Sequence, residues 1–456
     1  MLNGLTLRNF RAFRGQDFNF AKINVFVGPN NSGKSSAISA INLVSQTVNN
    51  PEINQSPLVL NGAFDSLGTF IDLVHGNRSN TPMGFDLRFG DFIIKVDYKY
   101  RQQRREIELV RYEMIEKSKQ VFYYSSRKDA FELKLLGEDV EVIAPGLRKR
   151  RPTFRGFTPS MMQFSAHRYN TESGGKAVDE VREKLFRAER SVSRARFALR
   201  RLFDEFDSLS PFRDKPQRTY LYSGETAQRI GTTGGNTATI LSSDASRRGG
   251  ESRDMTAEIS RWFKVTGIAD GVKIKSISPR HFEMVLVDKN QDEHNICDVG
   301  FGCSQVLPVL AASLNLFSGH DSIRRQQPML IVQEPEIHLH PNAQASLASF
   351  FAGLIPNGGQ LFLETHSDNL VLRLARHVAD GLLSHKDLKI FYVHKQGGTS
   401  EVTEIELGED GIFKAEWPGG FFPQRQSESL ALAQASYLAR DRKGEEQMEF
   451  KYPEEA

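Results

Sequence analysis

Apolar residues recur with two different periods along this chain, and the switches between them mark its elements. Leu5, Leu7 and Phe10, then Phe18 and Phe20, alternate as strands do, and the run Ile23, Val25, Phe26, Val27 reads as a buried strand that meets a glycine. Beyond it Ala37, Ile38, Ala40, Ile41 and Val44 fall on one face of a helix. A strand, a glycine turn and a helix therefore follow in order. Between residues 82 and 143 the alternating segments FIIKVDYKY, EIELVRYEM, VFYYSS and FELKLL, with charged or glycine turns between them, predict an antiparallel β-meander.

The middle of the chain changes character. A basic stretch, PGLRKRRPTFRG, leads to a strand-like QFSAH at Gln163 and then to a helical run over residues 176–206, with Leu185, Phe186, Val192, Leu199, Leu202 and Phe203 as its packed side. Residues 222–251 are rich in Gly, Ser and Thr and are expected to be a mobile or nucleotide-sensitive loop region. A helix at 255–266 and strands at 272–277 and 281–287 precede a second glycine turn at 298–304. From there helix and strand alternate: a helix to about Leu316, a strand at 329–332, a helix at 343–354, a strand at 360–364, a helix at 369–378 and a strand at 388–393. The parallel-sheet pattern is thus split between the two ends of the chain, without a repeat of fixed period or a long heptad run. The predicted fold class is α/β, with an antiparallel β lobe and a helical insertion. The expected divisions are 1–170, a first half with the meander; 171–268, the insertion; 269–408, a second half; and 409–456, an extension.

Composition narrows the class. At 456 residues, 39% hydrophobic and 25% charged, the chain supports two or three packed units and excludes a wholly disordered or collagen-like polymer. No window is apolar enough for a membrane span, and MLNGLTLRNFRAF lacks a signal-peptide core, so a cytoplasmic protein is expected. Two cysteines, Cys297 and Cys303, exclude a disulfide framework. The net charge of +3 hides an uneven distribution: residues 148–201 hold 15 Lys or Arg against 5 Asp or Glu. Arg148, Lys149, Arg150, Arg151 and Arg155 are the candidates for non-specific contact with nucleic acid phosphates; the competing reading is a solvated face or a dock for an acidic protein.

The chemistry centres on Gly28-Pro29-Asn30-Asn31-Ser32-Gly33-Lys34-Ser35, which matches G-x-x-x-x-G-K-[ST] between a strand and a helix. Gly28 and Gly33 let successive N–H groups of Asn30, Asn31, Ser32 and Gly33 face anionic oxygens, Lys34 supplies charge to the β and γ phosphates, Ser35 offers a hydroxyl to Mg²⁺, and Ser36 reaches the α phosphate. No guanine-reading sequence follows, so ATP is the expected nucleotide. The strand at 329–332 ends in Gln333, Glu334 and Glu336, with Glu334 the candidate base for an attacking water. The strand at 360–364 ends in Glu364, Thr365, His366 and Ser367, where a histidine can bond a γ-phosphate or hold the water. His338 and His340 lack companions at zinc spacing. DVGFGCSQVLP opens a helix whose amino-terminal amides, with Ser304 and Gln305, form a second anion-binding surface, as if for the nucleotide of a partner subunit.

Together these segments resemble the ABC-type ATPases of the SMC, RecF and OLD group, in the stand-alone form found in bacterial defence operons. GPNNSGKSS is similar to the Walker A loop of these P-loop NTPases, DVGFGCSQVLP to the signature, VQEPEIHLHP to Walker B with its D-loop, and ETHS to the switch histidine. LTLRNFRAF, LNGAFDSLGTFIDLVHGN and WPGGFF at Trp417 also look like parts of such proteins. The resemblance implies an ATPase head that dimerises around ATP, completed by Gly302, Ser304 and Gln305 of the opposing subunit, hydrolysing at Glu334 with help from His366 and acting on a separately encoded effector such as a nuclease or toxin. Gln333 stands where the Mg²⁺-coordinating acid of the group is usual, so slow hydrolysis is expected. No D-x-D element follows Ser367, so an intrinsic Toprim nuclease is not expected. A RecF-like DNA-clamping ATPase and an ATP-dependent scaffold remain the alternatives.

Overall fold

The computed structural model describes residues 1–50, 57–78, 80–126, 130–143, 151–161, 176–247, 253–317, 327–414 and 417–418. Its organising element is a six-stranded sheet in the order Phe206–Leu209, Met329–Gln333, Gln360–Glu364, Ile23–Val27, Leu388–Gln396, Thr399–Ile405. All neighbours are parallel except the last pair, which forms a hairpin. Strands buried on both faces read as continuous apolar runs, and these do. Because side chains alternate along a strand, Phe26, Met329, Ile331, Phe362, Phe391 and Val393 feed one core, while Val25, Leu330, Val332, Leu363 and Ile390 feed the other.

The first core joins the sheet to a lobe. Eight antiparallel strands run in the order 13–19, 2–10, 83–89, 92–101, 106–116, 119–126, 131–135, 138–139. Phe18 of this lobe meets Phe26 and Phe391 of the central sheet at ring-centroid distances of 5.9 and 5.5 Å, which locks the two layers together. Gln360 adds a buried polar clamp: its amide group exchanges hydrogen bonds with both the N–H and the carbonyl of Leu2, at 3.0 and 2.9 Å. The second core packs the helices Thr237–Ser246, Met255–Thr266, Phe301–Phe317, Pro341–Leu354 and Asp368–Ala379, together with a small sheet built on Gly271–Ser278 and His281–Val287, against the opposite face.

Three expectations are corrected. The long helix ends at Leu202, and Phe206–Leu209 is instead an edge strand of the central sheet, its four residues all buried against Met329–Val332 and the flanking layers. Phe186 is 56% exposed. The buried line on that helix is Leu185, Ala188, Val192, Ala195, Leu199 and Leu202, steps of three and four that keep one seam on the lobe and turn Phe186 and Phe197 outward. Within the Gly/Ser/Thr-rich region, Thr237–Ser246 is a helix: Ala238, Ile240 and Leu241 are buried, and the Asp244 carboxylate accepts from the N–H groups of Arg253 and Met255 at 2.8 and 2.9 Å, tying it to the start of the next helix. The predicted strand at Gln163 lies outside the described residues, as do Arg148, Lys149 and Arg150.

The opposite fates of Leu199 and Phe197, two residues apart, are testable. Leu199→Ala should lower the free energy of unfolding by about 2–5 kcal/mol, and Phe197→Ala should change it by less than about 0.5 kcal/mol; chemical denaturation of both variants reads the difference.

Candidate functional site

The carboxyl ends of three adjacent parallel strands meet at one edge of the central sheet, where open α/β sheets hold ligands. From the strand Ile23–Val27 the chain enters residues 28–33 and then the helix Lys34–Val48. Gly28 has φ 143°, and a Cβ there would lie 2.0 Å from the Val393 carbonyl oxygen, so the loop's back rests directly on a neighbouring backbone. Gly33 turns into the helix at φ 111°. The hydroxyl of Ser400, in the hairpin behind the loop, donates to the Ser32 carbonyl. This geometry leaves the front of the loop as a cradle for an anion.

Lys34 is 3% exposed and its ammonium donates to the Gly28 and Pro29 carbonyls, each at 2.9 Å. Burial pulls its pKa below the usual lysine range, resisted first by Glu364 and then by Glu334 and Glu336. The loop and the acids from beyond residue 330 thus share one electrostatic environment.

Across the adjacent strands Gln333 pairs in register with Glu364. One Glu364 carboxylate oxygen accepts from the Ser35 hydroxyl at 2.7 Å, and the other from the Gln333 side-chain amide at 2.8 Å. Glu334, next along, has φ 45°, a conformation costly for a residue with a side chain. Its N–H donates to the Glu364 carbonyl at 2.7 Å. Glu336 is buried, and one of its oxygens accepts from the His366 N–H at 2.6 Å. Burial raises the Glu336 pKa, as does Glu334, while the bond from His366 opposes the shift. His366 is exposed, and partial desolvation followed by the Lys34 charge lowers its pKa against the pull of Glu364.

Of the predicted site residues, Lys34, Ser35, Gln333, Glu334 and His366 lie together at this edge. Asn30, Asn31 and Ser35 are exposed, Gly33 and Ser36 half-buried, and Ser32 buried with its hydroxyl unpartnered. Ser304 and Gln305 are buried, and the Ser304 hydroxyl donates to the Phe301 carbonyl of its own helix. What that helix start offers to its surroundings is Phe301, 59% exposed, and the backbone at Gly302, where a Cβ would come within 2.7 Å of the His338 carbonyl oxygen. His338 and His340 are exposed, and His340 caps the helix Pro341–Leu354.

Sequence reasoning missed Arg213. It follows the edge strand, is buried, and donates to the carbonyls of Gln333 at 2.8 Å, Glu334 at 3.3 Å and Gln305 at 3.4 Å. Burial pulls its pKa down to about 10, against Glu336 and Glu334. A lone arginine in a polar loop carries no local signal of such a role. Glu364 was noticed only as a strand end, and nothing short of the strand register shows that it faces Ser35.

These groups fit a nucleotide with Mg²⁺. The loop's back has no room for a Cβ at Gly28, and the hydroxyl of Ser35 with the carboxylate of Glu364 gives hard oxygen donors at the rim of the cradle. Among the described residues no three His, Cys, Asp or Glu side chains are arranged so as to hold a metal ion by themselves. A phosphate loop flanked by strand-end acids, on a mixed sheet fused to an antiparallel lobe, defines a P-loop ATPase head of the ABC type.

The chain belongs to the family described as "AAA domain, putative AbiEii toxin, Type IV TA system", whose model matches residues 23–373. A second model, described as a protein of unknown function, matches residues 383–432. No curated protein matches. Among solved structures, an SMC head bound to the C-winged helix domain of ScpA is 12% identical over 90% of this chain and 98% of that one, with a TM-score of 0.40. The SMC head domain from Thermotoga maritima is 11% identical over 89% of this chain and 99% of that one, at 0.37. These superpositions are loose, and the assignment rests on the family match and on the geometry of the site.

Arg213 makes one clear prediction. Arg213→Met leaves three strand-end and helix-start carbonyls without their charged donor and should cost at least about 2 kcal/mol of stability, measured by denaturant unfolding of the nucleotide-free protein.

Proposed function

We propose that this protein is an ATP-hydrolysing conformational switch that dimerises around ATP and controls a separately encoded effector, a nuclease or toxin, in bacterial anti-phage defence. The observation that carries the ATPase part is the convergence of Lys34, Ser35, Glu334, Glu364 and His366 on one sheet edge although they come from opposite ends of the chain. The family description supports the defence setting.

In this reading the loop amides of residues 30–33 bind the phosphates, and Lys34 exchanges its bonds to the Gly28 and Pro29 carbonyls for the β and γ phosphates. Mg²⁺, when bound, neutralises charge on the phosphate oxygens, with Ser35 among its holders and Gln333 beside it. Glu334 takes the proton of the attacking water. His366 donates a hydrogen bond to the γ-phosphate or holds that water. Arg213 couples the ends of this machinery, because the carbonyls of Gln333 and Glu334 and that of Gln305 share one guanidinium.

The partner-facing surface is the start of the helix Phe301–Phe317. Since Ser304 and Gln305 are buried in the single chain, an opposing nucleotide meets Phe301 and Gly302 first, and the deeper side chains support the backbone that presents the amides. Part of the described basic segment is engaged by the fold itself. Lys184 pairs with Glu138 and Arg194 with Glu116 on the β lobe, and Arg196 donates to Thr158 and to the Pro159 carbonyl. Arg151 lies 3.7 Å from Glu108, and Arg155 is exposed. On the long helix Arg187, Arg190, Arg200 and Arg201 are exposed. No described helix is long and apolar enough to cross a membrane.

Glu334→Gln should retain ATP, reduce phosphate release by at least about a hundredfold, and shift the protein toward a dimer in the presence of ATP, read by light scattering. Undiminished phosphate release would remove Glu334 from the mechanism, and a monomer in saturating ATP would remove the sandwich. Lys34→Met should abolish the rise in melting temperature that ATP gives the unmodified protein.

A further inference from the structure

Glu364 is a buried carboxylate, 3% exposed, whose two hydrogen-bond partners are both neutral: the Ser35 hydroxyl and the Gln333 amide. Among the described residues no cation forms an ion pair with it. Lys34, whose charge is felt by Glu364, makes its hydrogen bonds to the loop carbonyls and not to the carboxylate. An ionised carboxylate taken out of water is costly unless a positive charge meets it, so this arrangement is poised for a cation that arrives with the ligand. Its direction is fixed. One oxygen touches the hydroxyl expected to bind the metal, and the other is gripped by the residue standing where a metal-binding acid would be expected.

The register explains how the two positions trade roles. Gln333 and Glu364 are direct partners on adjacent parallel strands, which lie about 4.8 Å apart. Moving the acid from one strand to its neighbour shifts the carboxylate by one strand spacing and keeps one negative charge at the site. The Gln333 amide then donates to the displaced acid and fixes its rotamer, the task an outer partner performs for a metal-binding carboxylate.

We infer that Glu364 is the acid that holds the divalent cation of the nucleotide, with Gln333 as its positioning residue. A divalent cation bound there would have the Ser35 hydroxyl and the Glu364 carboxylate as its protein oxygen donors and would neutralise charge on the phosphates. The neutral Gln333 therefore does not mark a disabled site, because the charge has moved to the next strand. This inference rests on the ATPase reading above and sharpens it.

The test uses the full chain, Mn²⁺ and the slowly hydrolysed analogue ATPγS. Titration calorimetry with and without the metal gives nucleotide affinity, and electron paramagnetic resonance of free Mn²⁺ gives metal affinity. The unmodified protein should bind the analogue more tightly with Mn²⁺ than without. Glu364→Gln should not lower the metal-free affinity, since it removes a negative charge from a phosphate site, but should lose at least about tenfold in Mn²⁺ affinity, and the exchange Gln333→Glu with Glu364→Gln should recover most of it. An unchanged Mn²⁺ affinity in Glu364→Gln overturns the inference. So does an equal loss of nucleotide affinity with and without metal, which would make Glu364 a prop for the loop. An unmodified protein that shows no metal-dependent nucleotide binding overturns the ATPase reading itself, so the two failures are separable.

Discussion

The strand Ile23–Val27 lies between Gln360–Glu364 and Leu388–Gln396, and the meeting of the phosphate loop with the strand-end acids depends on that insertion. Asn24 bonds the Leu361 carbonyl across 337 residues of sequence. The pairing sets the height of the phosphate loop relative to the strand-end acids: Phe26 is in register with Glu364, and Glu364 with Gln333. A slip of one residue would turn each side chain to the opposite face and take the Ser35 hydroxyl away from its carboxylate. The two cores, one on each face, oppose such a slip because each strand contributes alternate residues to both.

Around that constraint the molecule divides its labour. The antiparallel lobe and the long helix brace one face of the sheet through aromatic packing and through ion pairs such as Lys184 with Glu138. The other face carries the helices, and one of them, Phe301–Phe317, reports to the acids through Arg213. One guanidinium thus joins the start of that helix to the carbonyls of Gln333 and Glu334. Strain sits in the same place: Glu334 is held at positive φ by its bond to the Glu364 carbonyl, in the stretch where the chemistry is proposed.

Much of this was legible in the residues. The phosphate loop, its strand and helix, the α/β alternation after residue 300 and the β-meander are local patterns, and local patterns survive in sequence. Three kinds of information do not. The four-residue strand Phe206–Leu209 is too short to show a period, and its polar Asp207 and Ser208 hide it at the end of a helix. The inward seam of the long helix was misread at Phe186 because an apolar residue one step from the seam looks the same in a list of hydrophobics as one on it. The roles of Arg213 and Glu364 follow from strand register and chain crossing, which pair residues 31 to 121 positions apart or more.

The insertion of an amino-terminal strand between two carboxyl-terminal ones also sets a timetable for making the protein. At ribosomal speeds of about 5–20 residues per second, the partners of Ile23–Val27 emerge roughly twenty seconds to a minute after it does. During that interval the nascent chain carries an apolar strand with both edges bare, a template for mispairing. The hairpins of the β lobe, all of them near neighbours in sequence from residue 83 onward, can close in the meantime and give Phe18 and its neighbours something to lean on. The phosphate loop, although it precedes the strands that flank it by more than 320 residues, is among the last parts of the molecule to acquire its shape.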